Sequence, residues 1–499
     1  MSASTLSAST LAAAAAAPSF RTDAFINGRF VPAASGKRFT AINPATGQEL
    51  GQIAACDGID VDRAVSAARM AFEDRRWAGL KPGERKRILV RFADLVRTHR
   101  DELALLETLN MGKPISDAKF IDVRATADCI AYYGEAADKV YGEVAPTGGD
   151  DLALILREPL GVVGCVTPWN FPMIMAAWKF APALAMGNSV ILKPAEESPL
   201  TALRLAELAQ DAGIPDGVFN VVTGLGEEAG AALGRHMDVD AIAFTGSTEV
   251  GRYFMRYSAD TNLKRVGLEL GGKTGFVVAH DAPDLDAVAQ AAAAGIFFNQ
   301  GEMCTAGSRL LVDNRIKDEL VERIAAAAAQ WMPGDPLDPE AKAGAVVSRA
   351  HQGRILSAID QGLAEGARLV LGGTAVREET GGAFVAPTIF DNVAPGSSLE
   401  QKEIFGPVLS VIGFDGLDEA VKIANGTVYG LGAAIWSGDL AAAHKVARRF
   451  KAGVVYVNCF DADDMTVPFG GVKQSGFGRD KSLHALEKYS DLKTVWTRL

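Results

Sequence analysis

From residue 161 onward the chain repeats one local pattern, and that pattern limits its fold more than any other feature. Short apolar, β-branched runs ("GVVGCV", "SVILK", "VFNVV", "AIAFT", "RVGLEL") alternate with helical stretches such as "MIMAAWKFAPALAMG" and "SPLTALRLAELAQDAG". Strands that are apolar throughout belong in sheets buried on both faces, and parallel strands need crossover connections of about this length. The pattern therefore predicts a doubly wound, parallel α/β sheet covered on both sides by helices. A second α/β run begins near Thr274, includes an alanine-rich helix over 284–298, and continues to about residue 458. With 499 residues, 48% of them hydrophobic, the chain is long enough for two or three such cores.

Upstream, residues 61–77 and 83–109 have helical periodicity, with Ile88, Phe92, Leu95 and Val96 on one face. The opening "MSASTLSASTLAAAAAAPSF" has no basic residue before Arg21 and no Leu-rich stretch, so residues 1–21 read as a disordered or loosely helical arm rather than a secretory signal. The formal net charge is -11 and no Lys/Arg cluster stands out, which argues against a nucleic-acid partner. No apolar run reaches the ~18 residues of a membrane span. Five scattered cysteines without CxxC spacing suggest a reducing, cytoplasmic setting and neither a disulfide framework nor a metal site.

In a doubly wound sheet, ligands bind at the carboxyl ends of the strands. "FTGSTEVG" leaves a strand and opens a helix, with Gly246, Ser247 and Gly251 where backbone N–H groups suit a pyrophosphate; a glycine at any strand-to-helix turn looks the same. "VILKPAEESP" offers Lys193 and Glu196 either to ribose hydroxyls or to a surface ion pair, and a carboxylate there favours NAD over NADP. Glu269 in "LELGG" is a lone acid in an apolar strand, so it is either paired or functional. Glu403 in "EIFGPV" also precedes a glycine. Cys304 lies in "NQGEMCTAGSR", flanked by Gly301 and Gly307, with no apolar period to bury it. None of the six histidines lies in a glycine-rich or strand-end stretch, which weighs against a Cys/His pair. A thiolate, a carboxylate base and a dinucleotide site without a metal fit aldehyde oxidation through a thioester. Asn170 in "TPWNFP" is either a turn residue or an oxyanion donor.

Taken in order, "TPWNFP", "LELGGK", "NQGEMCTAGSR", "EIFGPV" and "PFGGVKQSGFGR" resemble the NAD(P)-dependent aldehyde dehydrogenase superfamily, from about Phe25 onward. The resemblance implies an α/β fold of two doubly wound domains, cofactor-binding and catalytic, plus a small β oligomerisation flap. It implies a NAD-binding domain over 22–138 and 158–270, a catalytic domain over 271–470, and bridging segments at 139–157 and 471–499. It makes Cys304 the nucleophile, Glu269 the general base, and Asn170 with the Cys304 N–H the oxyanion hole. Cofactor contacts fall to Trp169, Lys193, Glu196, Gly246, Ser247, Gly251, Glu403 and Phe405, with NAD expected and NADP less favoured.

In such enzymes the 139–157 excursion pairs with the C-terminal strand of a neighbouring subunit, so a homodimer or homotetramer is expected. Thr274 and Gly275 depart from the Ser/Thr then Pro/Asn that often follows "GGK"; this is expected to affect packing. The tail looks most like the branch acting on γ-glutamyl-γ-aminobutyraldehyde and other ω-amino aldehydes, with indole-3-acetaldehyde or broad-range aldehydes as the alternative. By family position the substrate tunnel is lined by Phe171, Met175, Trp178, Phe298, Met303, Thr305, Phe460, Asp461, Asp463 and Phe469. Asp461, Asp463 and Asp464 would either steer a cationic substrate or form a solvated loop. Phosphorylating or CoA-acylating relatives generally lack a base at the Glu269 position, and a silent structural relative would have lost Cys304, Glu269 or Asn170.

Overall fold

A computed structural model describes residues 20–499. The arm expected over 1–21 therefore lies outside the described residues except for Phe20 and Arg21, and Arg21 is ion-paired with Glu207 at 2.7 Å. The first sheet has eight strands, in the order Gly476–Phe477, Arg265–Glu269, Ala241–Thr245, Val162–Val166, Ser189–Lys193, Phe219–Val221, Ala24–Ile26 and Arg29–Val31. Its middle five strands are parallel and its two ends antiparallel. The pleat explains why these strands read as unbroken apolar runs. Val163, Cys165, Ala241 and Ala243 face a core containing Trp77, Phe92 and Phe180. Their neighbours Val162, Val166, Ile242 and Phe244 face the opposite core, with Val61, Leu233 and Phe254. Both faces are buried, so both registers must be apolar.

The second sheet follows the same logic with seven strands: Arg368–Leu371, Thr388–Asp391, Val408–Phe414, Arg309–Asp313, Gly275–Val278, Gly432–Trp436 and Val454–Val457. All of its pairings are parallel except the first. Phe276 and Leu310 enter one core while Val277 and Leu311 enter the other. Gly275 admits Ala424 from a neighbouring helix, whose side chain would lie 3.2 Å from any Cβ there. The helix Leu285–Phe297 is capped by Asp284, which accepts from the N–H groups of Asp286 and Ala287. It leads straight into the cysteine segment.

Two sequence expectations change. The helical run over 83–109 is two helices, Pro82–Thr98 and Arg100–Met111, meeting at His99. Its buried face is Leu89, Phe92, Ala93 and Val96, while Ile88 and Leu95 are half-buried, so the apolar stripe is rotated by one residue. The C-terminal strand also finds its partner within the same chain. Ser490–Arg498 runs antiparallel to Asp151–Pro159, from Ser490 opposite Pro159 to Arg498 opposite Asp151. The turn before it, Leu483–Tyr489, buries Tyr489 in the first core and thereby delivers the strand alongside its own flap. Glu143–Ala145 completes this three-stranded sheet. No helix among the described residues is long and apolar enough to cross a membrane.

Candidate active site

The carboxyl ends of the parallel strands open into a cleft of ≈ 1010 Å³. Trp169 and Asn170 line it from the turn after Val162–Val166, and Gly246 and Ser247 from the turn after Ala241–Thr245. Cys304, Glu403 and Phe405 line it from the segments that lead into the second-sheet strands Arg309–Asp313 and Val408–Phe414, and Met175 from the helix Pro172–Ala185.

The cysteine segment is held by unusual backbone. Asn299, Gln300 and Gly301 all have positive φ (48°, 57° and 74°), turning the chain sharply after the alanine-rich helix. Gly301 is required there, because a Cβ would lie 2.2 Å from the Gly406 carbonyl oxygen. The Gln300 side-chain oxygen accepts from the Gly344 N–H, and Glu302 Oε1 from the Val347 N–H, both at 2.9 Å. Gly272 lies equally close on the other side, where a Cβ would be 2.2 Å from the Cys304 carbonyl oxygen. The loop is thus pinned on three sides while Cys304 stays half-buried at the cleft. Asn170 Nδ2 donates to the Glu302 carbonyl at 2.9 Å, which leaves its second N–H available in the cleft that Cys304 also lines. Burial raises the Cys304 thiol well above its ordinary range, and the charges of Glu403, Glu269 and Asp461 push the same way.

Glu269 ends its strand, 3% exposed, and neither carboxylate oxygen has a hydrogen-bond partner among the described residues. Burial pushes it up to about 8; Asp480 adds to the rise, while Lys179, Lys488 and Arg479 oppose it. An orphaned buried carboxyl is costly unless it has work to do. Its neighbours form a cluster that sequence reasoning missed: Asp480, wholly buried, accepts from both Lys179 and Lys488. The signal was available, since Lys179 is a lone charge inside an apolar helix, the same anomaly that singled out Glu269. His351 and Arg354 also line the cleft unannounced, because nothing local marks them.

The cofactor candidates divide. The Ser247 hydroxyl caps the helix Thr248–Ala259 by accepting from the Val250 N–H, so that helix N-terminus meets the cleft. A Cβ on Gly246 would strike the Phe244 ring at 2.4 Å, and one on Gly271 would strike Glu403 at 2.1 Å, so the backbone here stays bare. Glu403 Oε1 accepts from the Gly272 N–H at 2.9 Å. Burial pushes its carboxyl up to about 7. A bare turn, a helix start and a carboxylate along one cleft fit a dinucleotide. Lys193 and Glu196 are ion-paired with each other at 3.1 Å and do not line this cleft. Gly251 makes room for Leu270, whose side chain would lie 2.7 Å from a Cβ, so it serves packing.

The tunnel candidates divide as well. Phe171 stacks with Phe298 (centroids 6.4 Å apart) and Trp178 packs with Phe469 (5.0 Å). Thr305 is buried next to Cys304. Met303 turns into a core of the second sheet, and Phe460 packs on Phe276 and Tyr456 behind the cysteine segment, because Gly295 and Gly307 leave space there. Asp463 is ion-paired with Lys481, and Asp464 accepts from its own Thr466. Asp461 is exposed.

The model of the aldehyde dehydrogenase family matches residues 30–495. The chain is 52% identical over 475 residues to the NADP/NAD-dependent aldehyde dehydrogenase PuuC of Escherichia coli, covering 95% of each. Among solved structures it is 55% identical to gamma-glutamyl-gamma-aminobutyraldehyde dehydrogenase from Burkholderia cenocepacia, with a TM-score of 0.97 over 99% of this chain and 100% of that one. It is 52% identical, with a TM-score of 0.98 and the same coverage, to an indole-3-acetaldehyde dehydrogenase in complex with NAD+.

Proposed function

The chain belongs to the aldehyde dehydrogenase family, and on that premise we propose that it oxidises an ω-amino or γ-glutamylamino aldehyde to the acid, with NAD as hydride acceptor. One observation carries the chemistry. A half-buried thiol lines the same cleft as the Asn170 amide, with a carboxyl that has no partner among the described residues, Glu269, within its electrostatic reach.

The residues divide the work. Cys304 Sγ, deprotonated, adds to the aldehyde carbon, and the free Asn170 N–H with the Cys304 backbone N–H holds the resulting oxyanion. The bound nicotinamide dinucleotide supplies the hydride acceptor. Cys304 then carries the acyl group as a thioester. Glu269 takes a proton from water, whose oxygen attacks the thioester carbon, and the carboxylic acid leaves as the thiol re-forms. Glu403 and Phe405, which line the cleft, are assigned to the nicotinamide end, while Lys193 and Glu196, which lie outside it, are assigned to the adenosine ribose by family resemblance alone.

The substrate class rests on the name of the relative at 55% identity and on Asp461, an acid of the tail loop that makes no ion pair among the described residues. The paired aromatics Phe171–Phe298 and Trp178–Phe469 favour a second reading, an aryl aldehyde such as indole-3-acetaldehyde. Unpaired cysteines and the exposed flap suit a cytoplasmic homodimer or homotetramer. Steady-state kinetics with γ-aminobutyraldehyde, its γ-glutamyl adduct, indole-3-acetaldehyde, propanal and benzaldehyde, each with NAD and NADP, tests the reading. The two amino-type aldehydes are expected to give the highest kcat/KM; a higher value for indole-3-acetaldehyde transfers the assignment to the aryl class.

A further inference from the structure

His351 sits where three parts of the site meet. It belongs to the first turn of the helix Arg349–Ala364 and lines the cleft while being only 4% exposed. Both ring nitrogens are engaged. Nε2 is 2.7 Å from the Phe405 carbonyl oxygen, which can only accept, and Nδ1 is 3.2 Å from Arg354 Nη2, which can only donate. That pattern fixes one neutral tautomer, with the proton on Nε2.

The carbonyl it holds belongs to a residue in a rare conformation. Phe405 has φ 60°, uncommon for a bulky side chain, and such a conformation persists only where the surroundings over-determine it. The surroundings are on the same helix face: Ile355, one turn beyond His351, fills the space where a Gly406 Cβ would be, 2.6 Å away. The rings interlock as well. Trp169 meets His351 edge-on at 5.1 Å and Phe405 at 5.3 Å. Glu302, two residues before the thiol, brings Oε1 within 3.7 Å of His351 Nε2.

We infer that His351 is a positioning residue for the cofactor end of the cleft: its Nε2–H fixes the Phe405 carbonyl, and with it the aromatic wall formed by Trp169 and Phe405. The inference rests on the dinucleotide reading of the cleft. Removing the donor frees a carbonyl that has no other partner among the described residues and lets Phe405 leave its left-handed conformation, so the wall is lost before the thiol is disturbed.

Calorimetric titration of NAD+ without aldehyde, on wild type, His351→Phe and His351→Gln, tests it. Phenylalanine keeps a ring against Trp169 and drops the donor; glutamine keeps an N–H. His351→Phe is expected to weaken NAD+ binding roughly tenfold, and His351→Gln less than about threefold. KM for NAD+ should follow, while KM for the aldehyde stays within about twofold. Equal weakening in both variants, or none in His351→Phe, overturns the inference. If His351→Phe does not fold, His351→Leu is judged by the same numbers. A wild-type enzyme that fails to bind NAD+ sinks the dinucleotide reading instead.

Discussion

Cys304 and Glu269 were legible as single residues because each breaks a local rule: a cysteine with nothing to bury it, and an acid in an apolar strand. Their substitutions should separate the two halves of the reaction. Cys304→Ser is expected to lower kcat at least ~10³-fold while NAD+ affinity, read by titration, stays near wild type. Glu269→Gln should give at most one equivalent of NADH per site in rapid mixing, then stall, with an acyl adduct on Cys304 by mass spectrometry. Steady turnover near the wild-type rate would remove Glu269 from the role of base. Burial puts that carboxyl at about 8, so wild-type turnover should climb as pH rises through 8. Lys488 pulls it down, so Lys488→Met should move that limb to higher pH by about half a unit or more. The shift also bears on stability. A carboxyl whose folded pKa lies above its unfolded value is protonated in the native state between the two, so native stability falls as pH rises from about 4.5 to 8. Glu269→Gln should therefore gain stability over wild type at pH 9 relative to pH 5, by at least ~1 kcal/mol in urea melts. His351 was illegible at this scale, since its meaning comes from Phe405, 54 positions away.

Among elements, the strands were readable because burial on both faces leaves an apolar run that no helix period explains. The cysteine segment was readable only as glycine-rich; its three consecutive positive-φ residues depend on contacts with Gly344, Val347 and Gly406 that sequence spacing does not contain. Gly301→Ala should be severe, costing ~3 kcal/mol or more in urea unfolding and most of the activity, because its Cβ would overlap the Gly406 carbonyl. Gly366→Ala is the matched control. It too has positive φ (89°) but nothing within 4 Å, so it should cost only about 1 kcal/mol. Similar losses in the two variants would mean that the strain, rather than the contact with Gly406, sets the cost. The partner of the C-terminal strand was misread because pairing between segments 331 to 347 residues apart is decided by the turn that delivers the strand, not by the strand's own residues.

For the whole molecule, two α/β cores and a flap were legible, but the route of the tail was not. After the second sheet the chain returns to put Gly476–Phe477 on the edge of the first, buries Asp480 beside Glu269, and ends with Ser490–Arg498 on the flap. That flap exposes Leu492 and Trp496 on one face, Val144 and Val495 on the other, and two open strand edges. Trp496→Asp is expected to lower the mass in light scattering to that of a smaller assembly; an unchanged mass would place the subunit contact elsewhere. The same route sets a timetable during synthesis. Cys304 leaves the ribosome long before Asp480, with roughly 170 residues and, at ~5–20 residues per second, about 10–30 s between them. A nascent chain thus displays its nucleophile before the charge cluster around the base is complete, and a message cut short near residue 470 would yield two nearly whole domains whose Glu269 keeps Lys179 but never acquires Arg479, Asp480 and Lys488.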